Sequence, residues 1–295
     1  MVISNRGKPP WLTIRPPENI QNFQKIKEVL SSHGLVTVCE EAHCPNIPEC
    51  WSRGTVTFMI LGKYCTRGCK FCNIESKWTK LPPDPLEPEN LARAIAQLGL
   101  DYVVITSVNR DDLPDQGSNH FAECIKAVKK YNPKIIVEVL IPDFRGDMEC
   151  IKRVVEAKPE VIAHNIETVR RLQKYVRDRR AGYEQSLSVL ENVKKLEPKI
   201  FTKSSIIVGF GETVEEVLQT MKDLRAVNVD FLTIGQYLRP SDWHLPVTEY
   251  VTKEKFEYYK KMGESMGFLY VAAGPFVRSS YRAGELFVKS LISKG

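Results

Sequence analysis

Two cysteine triplets stand close together in this chain of 295 residues: Cys39, Cys44 and Cys50 in "VTVCEEAHCPNIPECW", and Cys65, Cys69 and Cys72 in "YCTRGCKFC". Clustered thiols are soft metal ligands, and the number that each loop supplies decides what it can hold. Structural zinc takes four protein ligands, usually from paired C-x2-C or His motifs. Three thiolates on one tight C-x3-C-x2-C loop leave a position open, and a [4Fe–4S] cluster held that way keeps one iron free to chelate a small molecule. For the first triplet, C-x4-C-x5-C, zinc with His43 as fourth ligand is a competing reading. It is strained, because His43 abuts Cys44 and both would have to reach one ion. Cys124 and Cys150 lie outside the clusters and read as small buried hydrophobes.

The elements that must position these thiols follow from the hydrophobic pattern. From residue 55 onward, short β-branched runs alternate with amphipathic stretches, the pattern of repeated βα units and a parallel sheet. Six strands are expected, at 55–61, 102–106, 135–140, 161–165, 203–209 and 231–237, with helices at 88–98, 118–130, 147–157, 166–176, 184–196 and 213–226. Thr213 ahead of Glu215 and Glu216 marks a helix start. Six units are fewer than a closed eight-unit barrel needs. The expected fold is therefore α/β, a partial (β/α)6 barrel of the TIM type, open, with its mouth at the C-terminal ends of the strands. Residues 1–54 read as a cysteine-rich N-terminal arm, 55–267 as the barrel and 268–295 as a C-terminal tail, with further helices at 253–266 and 282–293. The second triplet then falls directly after the first strand, on a loop at the mouth.

Composition narrows the setting. The chain is 43% hydrophobic, enough for a large core, and has no apolar run of membrane-spanning length and no apolar leader in "MVISNRGKPPWLTIRPP". A cytoplasmic protein is expected, in which thiols stay reduced and serve as ligands or catalysts rather than disulfides. The net charge of +6 is spread along the chain and is too weak to point to nucleic acid. Glu138 on the third strand, Asn165 and Glu167 after the fourth and Gln236 after the sixth stand where barrel sites collect, as candidates for cofactor or substrate contact. Gly209 and Gly211 in "IIVGFGET" would let backbone approach a ligand. Arg170, Lys174 and Arg177 share one face of the helix expected at 166–176, a face suited to an acidic partner. Asp111, Asp112 and Asp115 fit caps or hydrogen bonds within a loop, with no metal role.

The C-x3-C-x2-C spacing, with Phe71 just before its last cysteine, resembles the signature of radical S-adenosylmethionine enzymes. That resemblance implies that Cys65, Cys69 and Cys72 hold a [4Fe–4S] cluster whose open iron binds the amino and carboxylate groups of S-adenosylmethionine, and that an electron from the cluster cleaves it to a 5′-deoxyadenosyl radical. Such chemistry needs one cluster, so a second must do something else. Nine stretches, in order, resemble the lipoyl synthase family: "KPPWL" at 8–12, "EEAHCPNIPECW" at 40–51, "YCTRGCKFC" at 64–72, "TSVNRDDLPDQGSNHF" at 106–121, "VEVLIPDF" at 137–144, "HNIETV" at 164–169, "SSIIVGFGET" at 204–213, "GQYLRP" at 235–240 and "GPFVRSSY" at 274–281. Asn109, Gln116, Asn119 and Arg282 depart from the residues usual there, and none is a cluster ligand.

The resemblance implies an auxiliary [4Fe–4S] cluster on Cys39, Cys44 and Cys50, with its fourth ligand from the "RSSY" motif. Ser280 takes that role, with Ser279 as the alternative. A hydroxyl is a harder, weaker ligand for iron than thiolate, which suits a cluster built to be taken apart. The implied reaction inserts two sulfur atoms at C6 and C8 of an octanoyl chain on a carrier lysine. Two S-adenosylmethionine molecules are used, and the auxiliary cluster gives up its sulfur. Implied partners are octanoylated lipoyl carrier domains, such as 2-oxoacid dehydrogenase subunits and the glycine cleavage H protein, and an electron donor of the ferredoxin or flavodoxin type, to a monomeric enzyme. The rivals are a biotin-type thiolation of a small molecule and a zinc protein without redox chemistry.

Overall fold

The computed structural model describes residues 9–12, 14, 16–280 and 288–289. Eight strands form one sheet in sequence order: β1 Val36–Thr37, β2 Thr57–Ile60, β3 Tyr102–Ser107, β4 Ile136–Leu140, β5 Val161–Ala163, β6 Phe201–Val208, β7 Phe231–Gln236 and β8 Tyr270–Gly274. From β2 to β8 every neighbouring pair is parallel, and β1 joins β2 antiparallel. The first and last strands do not pair, so the barrel is open. The six strands expected from the sequence form at their expected places. Two more extend the sheet: β1 from the arm, and β8 from the "FLYVAAG" run expected to begin the tail. Val271–Ala273 has the β-branched and small residues of a strand and lies along Leu232–Ile234, so its apolar character is spent on sheet pairing.

Helices α1 Ile20–Ser32, α2 Val38–Glu41, α3 Ile47–Ser52, α4 Glu87–Leu98, α5 Ser118–Tyr131, α6 Met148–Glu156, α7 Gln173–Val176, α8 Tyr183–Leu196, α9 Val214–Ala226 and α10 Lys253–Ser265 accompany the sheet. Strands β2, β5 and β7 are buried at every position, as a parallel sheet covered on its outer face requires. Side-chain caps set several of the helix starts, those of α6, α9 and α10 among them. Thr213 accepts from the Glu216 N–H while the Glu216 carboxylate accepts from the Thr213 N–H, a reciprocal pairing that satisfies two donors left over by the first turn. Asp147 caps α6 and Thr252 caps α10 in the same sense. The helix expected over 166–176 is a correction: only a 3-10 turn at Arg170–Leu172 and the single turn α7 form. Residues 164–169 instead leave β5 as an irregular segment along the barrel mouth, with Glu167 at φ 67° and its N–H donating to Ser205 O. The helix expected at 282–293 lies outside the described residues apart from 288–289.

Candidate active site

The loop Cys65–Cys72 leaves the C-terminal end of β2 and is held in place almost atom by atom. Cys65 N–H donates to Glu75 O and Lys77 N–H to Cys65 O, at 2.9 and 2.8 Å, while Cys72 N–H closes a turn on Cys69 O. Three backbone N–H groups point at the sulfurs: those of Arg67 and Asn109 at Cys65 Sγ, both 3.4 Å, and that of Asp178 at Cys69 Sγ, 3.3 Å. Donors aimed at sulfur stabilise thiolate over thiol, which is the form a metal takes. Opposing them, burial pushes the Cys69 thiol up to about 11 and the Cys72 thiol up to about 12. Metal binding at this loop must therefore displace protons, and it is coupled to pH.

Beneath the loop lies a network that sequence reasoning did not find. The Arg67 guanidinium sits between two carboxylates, with Nη1 to Asp143 Oδ2 at 2.6 Å and Nε to Asp111 Oδ2 at 2.9 Å, and all three side chains are almost wholly buried. Thr66 Oγ1 also donates to Asp111. These contacts hold both carboxyls below the usual carboxylate range. Asp111 was expected to act within its own loop. Instead it ties the end of β3 to the cysteine loop, and Asp143 does so from β4. The sequence signal available was an arginine between two ligand cysteines, whose charge must be answered by acids elsewhere.

The first triplet is carried by two short helices, α2 packed against β2 and α3 against α1. Cys39 is on α2, Cys50 on α3, and Cys44 lies between them with its N–H on Cys39 O. Mutual charge and burial push Cys39 up to about 11 and Cys50 up to about 12, burial being the larger cause. Asn46 Nδ2 donates to Phe276 O at 2.6 Å, across 230 positions of sequence, which brings the tail against the arm. Gly235 of β7 makes that approach possible: a Cβ there would overlap Val277 O deeply. His43 accepts from Asn73 Nδ2 through Nδ1. Among the described residues no three His, Cys, Asp or Glu side chains form a group that could hold a single metal ion, and all eight cysteines are unpaired.

Both triplets open onto one cleft of about 400 Å3, where Cys39 and Cys44 meet Cys72 of the second triplet and Ser279 and Ser280 of the tail. Asn165, Glu167 and Gln236 also line it, and each has a different standing. Asn165 Oδ1 is buried without a hydrogen-bond partner among the described residues, which is costly unless a ligand answers it. Withdrawal from water pushes the Glu167 carboxyl up, against the nearby Arg177 charge. The Gln236 amide is spent on backbone: Nε2 donates to Tyr237 O and Glu249 O, and Oε1 accepts from Val251 N–H. It fixes the cleft wall and leaves nothing for a ligand.

Glu138 is a correction. It is not among the cleft residues, and its side chain is buried inside the barrel, with Oε1 2.7 Å from Lys203 Nζ and Oε2 accepting from Tyr102 OH at 2.5 Å. Its charge is satisfied there, because an unpaired buried carboxylate would cost more than the fold could spare. Gly209 is approached by Gln236 Nε2 and by Glu249 O, where a Cβ would sit 2.8 Å from the latter, and its φ of 114° also demands glycine. Its close neighbours are thus protein rather than ligand. The basic face expected at Arg170, Lys174 and Arg177 does not form: Arg170 pairs with Glu184 and Asp223, and Arg177 is buried.

The open parallel barrel with three thiols on the loop after its first parallel strand defines a radical S-adenosylmethionine enzyme, and residues 59–224 match the model of the radical SAM superfamily. The chain belongs to the lipoyl synthase family within it. A chloroplastic lipoyl synthase of Arabidopsis thaliana is 56% identical over 295 residues, spanning 98% of this chain and 75% of that protein. A lipoyl synthase of Anaeromyxobacter sp. (strain Fw109-5) is also 56% identical, over 282 residues, 96% of this chain and 95% of that one. Among solved structures, methylornithine synthase superposes with a TM-score of 0.56 at 12% identity over 82% of this chain and 69% of its own. The hydrogenase maturase HydG of Carboxydothermus hydrogenoformans does so with 0.55 at 13%, over 94% and 80%. At such identity these two speak for the fold alone. A [4Fe–4S] cluster and S-adenosylmethionine are implied by the superfamily, and the N–H groups directed at Cys65 and Cys69 fit the thiolates such a cluster needs. No described helix is long and apolar enough to cross a membrane.

Proposed function

We propose that this chain inserts two sulfur atoms, at C6 and C8, into an octanoyl group carried on a lysine of a lipoyl carrier domain. The observation that carries the reading is the single cleft onto which Cys39 and Cys44, Cys72 and the tail serines all open. A site that takes sulfur from one cluster with a radical made at another has to bring both within reach of one carbon chain. When bound, the cluster at Cys65, Cys69 and Cys72 with S-adenosylmethionine supplies a radical able to take hydrogen from unactivated methylenes, which acid–base groups cannot do at neutral pH.

The chain's own residues do the rest. Cys39, Cys44 and Cys50, with Ser280, hold the auxiliary [4Fe–4S] cluster as sulfur source. Val38, Phe71, Ile207, Tyr237 and Val277 give the cleft apolar walls suited to an alkyl chain and exclude water from a reactive intermediate. Asn165 and Glu167 present polar atoms for the cofactor. A 2-oxoacid dehydrogenase subunit or glycine cleavage H protein brings the octanoyl-lysine, and a ferredoxin or flavodoxin type donor brings the electrons. The enzyme works as a monomer in a reducing compartment, the cytoplasm in this reading; several curated relatives carry plastid, mitochondrial or apicoplast names. Anaerobic turnover with an octanoyl-lysine peptide, reductant and S-adenosylmethionine, read by mass spectrometry, tests it. Addition of two sulfurs is expected; 5′-deoxyadenosine without any sulfur adduct on the peptide would sink it.

A further inference from the structure

One buried guanidinium lies within the Cys65–Cys72 loop, at Arg67, and another beside it, at Arg177, and their surroundings differ. Arg67 is answered by the carboxylates of Asp111 and Asp143, so it holds the loop and carries little net field. Arg177 is 7% exposed, yet it makes no ion pair among the described residues. Its Nη1 donates to Ser186 Oγ at 2.8 Å and to Gln173 Oε1 at 3.1 Å, with Ile166 O at 3.5 Å, all neutral acceptors. Burying a charge without an ion-pair partner is costly. Such a charge is retained where something anionic offsets it.

The backbone on either side of Arg177 is fixed to the cysteine loop. Val176 O accepts from Lys70 N–H at 2.9 Å, Asp178 N–H donates to Cys69 Sγ, and the Asp178 carboxylate accepts from Gly68 N–H at 3.0 Å. Arg177 is therefore held beside Cys69, and its charge acts on the Cys69 sulfur and on Glu167. Three thiolates on a [4Fe–4S] cluster make an anion, and one-electron reduction by the external donor makes it more so. Resting on the cluster assignment above, we propose that Arg177 is a positioning residue that sets the redox poise of the cluster at Cys65, Cys69 and Cys72, its positive charge favouring the reduced state. It acts through the cluster and touches no substrate.

Arg177→Gln keeps a hydrogen-bonding side chain and removes the charge; Arg177→Lys keeps the charge. The measurement is a potentiometric titration of the holoenzyme followed by electron paramagnetic resonance, using the signal whose shape changes on adding S-adenosylmethionine. That response identifies the cluster with the open iron, and its absence in the unsubstituted enzyme would defeat the site assignment rather than the role of Arg177. In Arg177→Gln the ratio of reduced to oxidised cluster at fixed potential is expected to fall about tenfold, a shift of about 59 mV to lower potential for one electron. Arg177→Lys is expected to stay near the unsubstituted value. An unshifted Arg177→Gln would overturn the proposal, and so would an equal shift in both variants. Failure of Arg177→Gln to load its iron would do the same, since it would assign Arg177 to assembly and not to poise.

Discussion

At the scale of single residues, the proposed reaction divides the chemistry between the two triplets. Replacing Cys65, Cys69 or Cys72 by alanine removes the cluster with the open iron, so production of 5′-deoxyadenosine should fall to background. On the proposed assignment, replacing Cys39, Cys44 or Cys50 would leave that cluster intact. These variants should still release 5′-deoxyadenosine, measured by chromatography, while making no carbon–sulfur bond; lipoyl product from any of them would remove the auxiliary cluster as sulfur source. Ser280 belongs to the same argument. With Ser280 as the proposed fourth ligand, a cysteine in its place would hold iron more tightly and yield it less readily. The expected outcome is iron content and cofactor cleavage like the unsubstituted enzyme, with lipoyl formation lost or stalled after one sulfur. Full turnover in both Ser280→Cys and Ser280→Ala, with loss in Ser279→Ala, moves the ligand to Ser279.

At the scale of elements, the contact between β7 and the tail decides whether Ser280 can reach the cleft. Val277 O lies where a Cβ on Gly235 would be, and the obstacle is backbone, which cannot swing aside as a side chain does. Gly235→Ala should therefore push the tail off the sheet edge without unravelling the barrel, whose core on the β6–β8 side is built from residues such as Val208, Leu232 and Ile234. Iron content should drop by about half, from two clusters toward one, with 5′-deoxyadenosine production kept and sulfur insertion reduced at least tenfold. Unchanged sulfur insertion would show that the tail is not part of the site. The strand β8 makes a related point. Its residues read as the start of a tail, and the sheet takes them as a last strand beside β7.

At the scale of the whole molecule, the barrel's stability carries a pH dependence from inside. His164 is buried, with Nδ1–H donating to Ile141 O and Nε2 accepting from Ser186 Oγ. That carbonyl can only accept, which places the proton on Nδ1. Burial, with the Arg177 charge adding to it, brings this imidazole down from 6.5 to about 4. A base whose folded value lies below its unfolded one binds fewer protons when folded, so stability falls as pH falls. The loss begins near pH 6.5 and is complete near pH 4, worth about 3 kcal/mol. Chemical denaturation of the apoprotein at pH 7 and pH 5 should show it, and His164→Gln should flatten the difference. An equal slope in the variant would mean that other groups carry it.

The cysteine spacings, the alternation of strand and helix and the helix caps could all be read before the fold because they are local: each depends on residues within one turn or one loop, where sequence distance is spatial distance. The open α/β barrel and the place of the second triplet at its mouth followed from that. What tertiary structure alone decided is which distant groups meet. The sharing of one cleft by Cys39, Cys44, Cys72 and the tail serines depends on contacts such as Asn46 to Phe276. The pairing of Arg67 with Asp111 and Asp143 likewise joins three separate loops. Polar residues show the same divide. Glu138 and Gln236 sit on strands facing the barrel interior, as Asn165 does just beyond one, yet the first is spent on Lys203, the second on backbone, and of the three Asn165 alone keeps an acceptor without a partner among the described residues. Sequence tells which side of a strand a polar group points to. Whether it is already satisfied is a property of its neighbours in space, because a buried polar atom takes whatever partner the packed chain brings within about 3 Å.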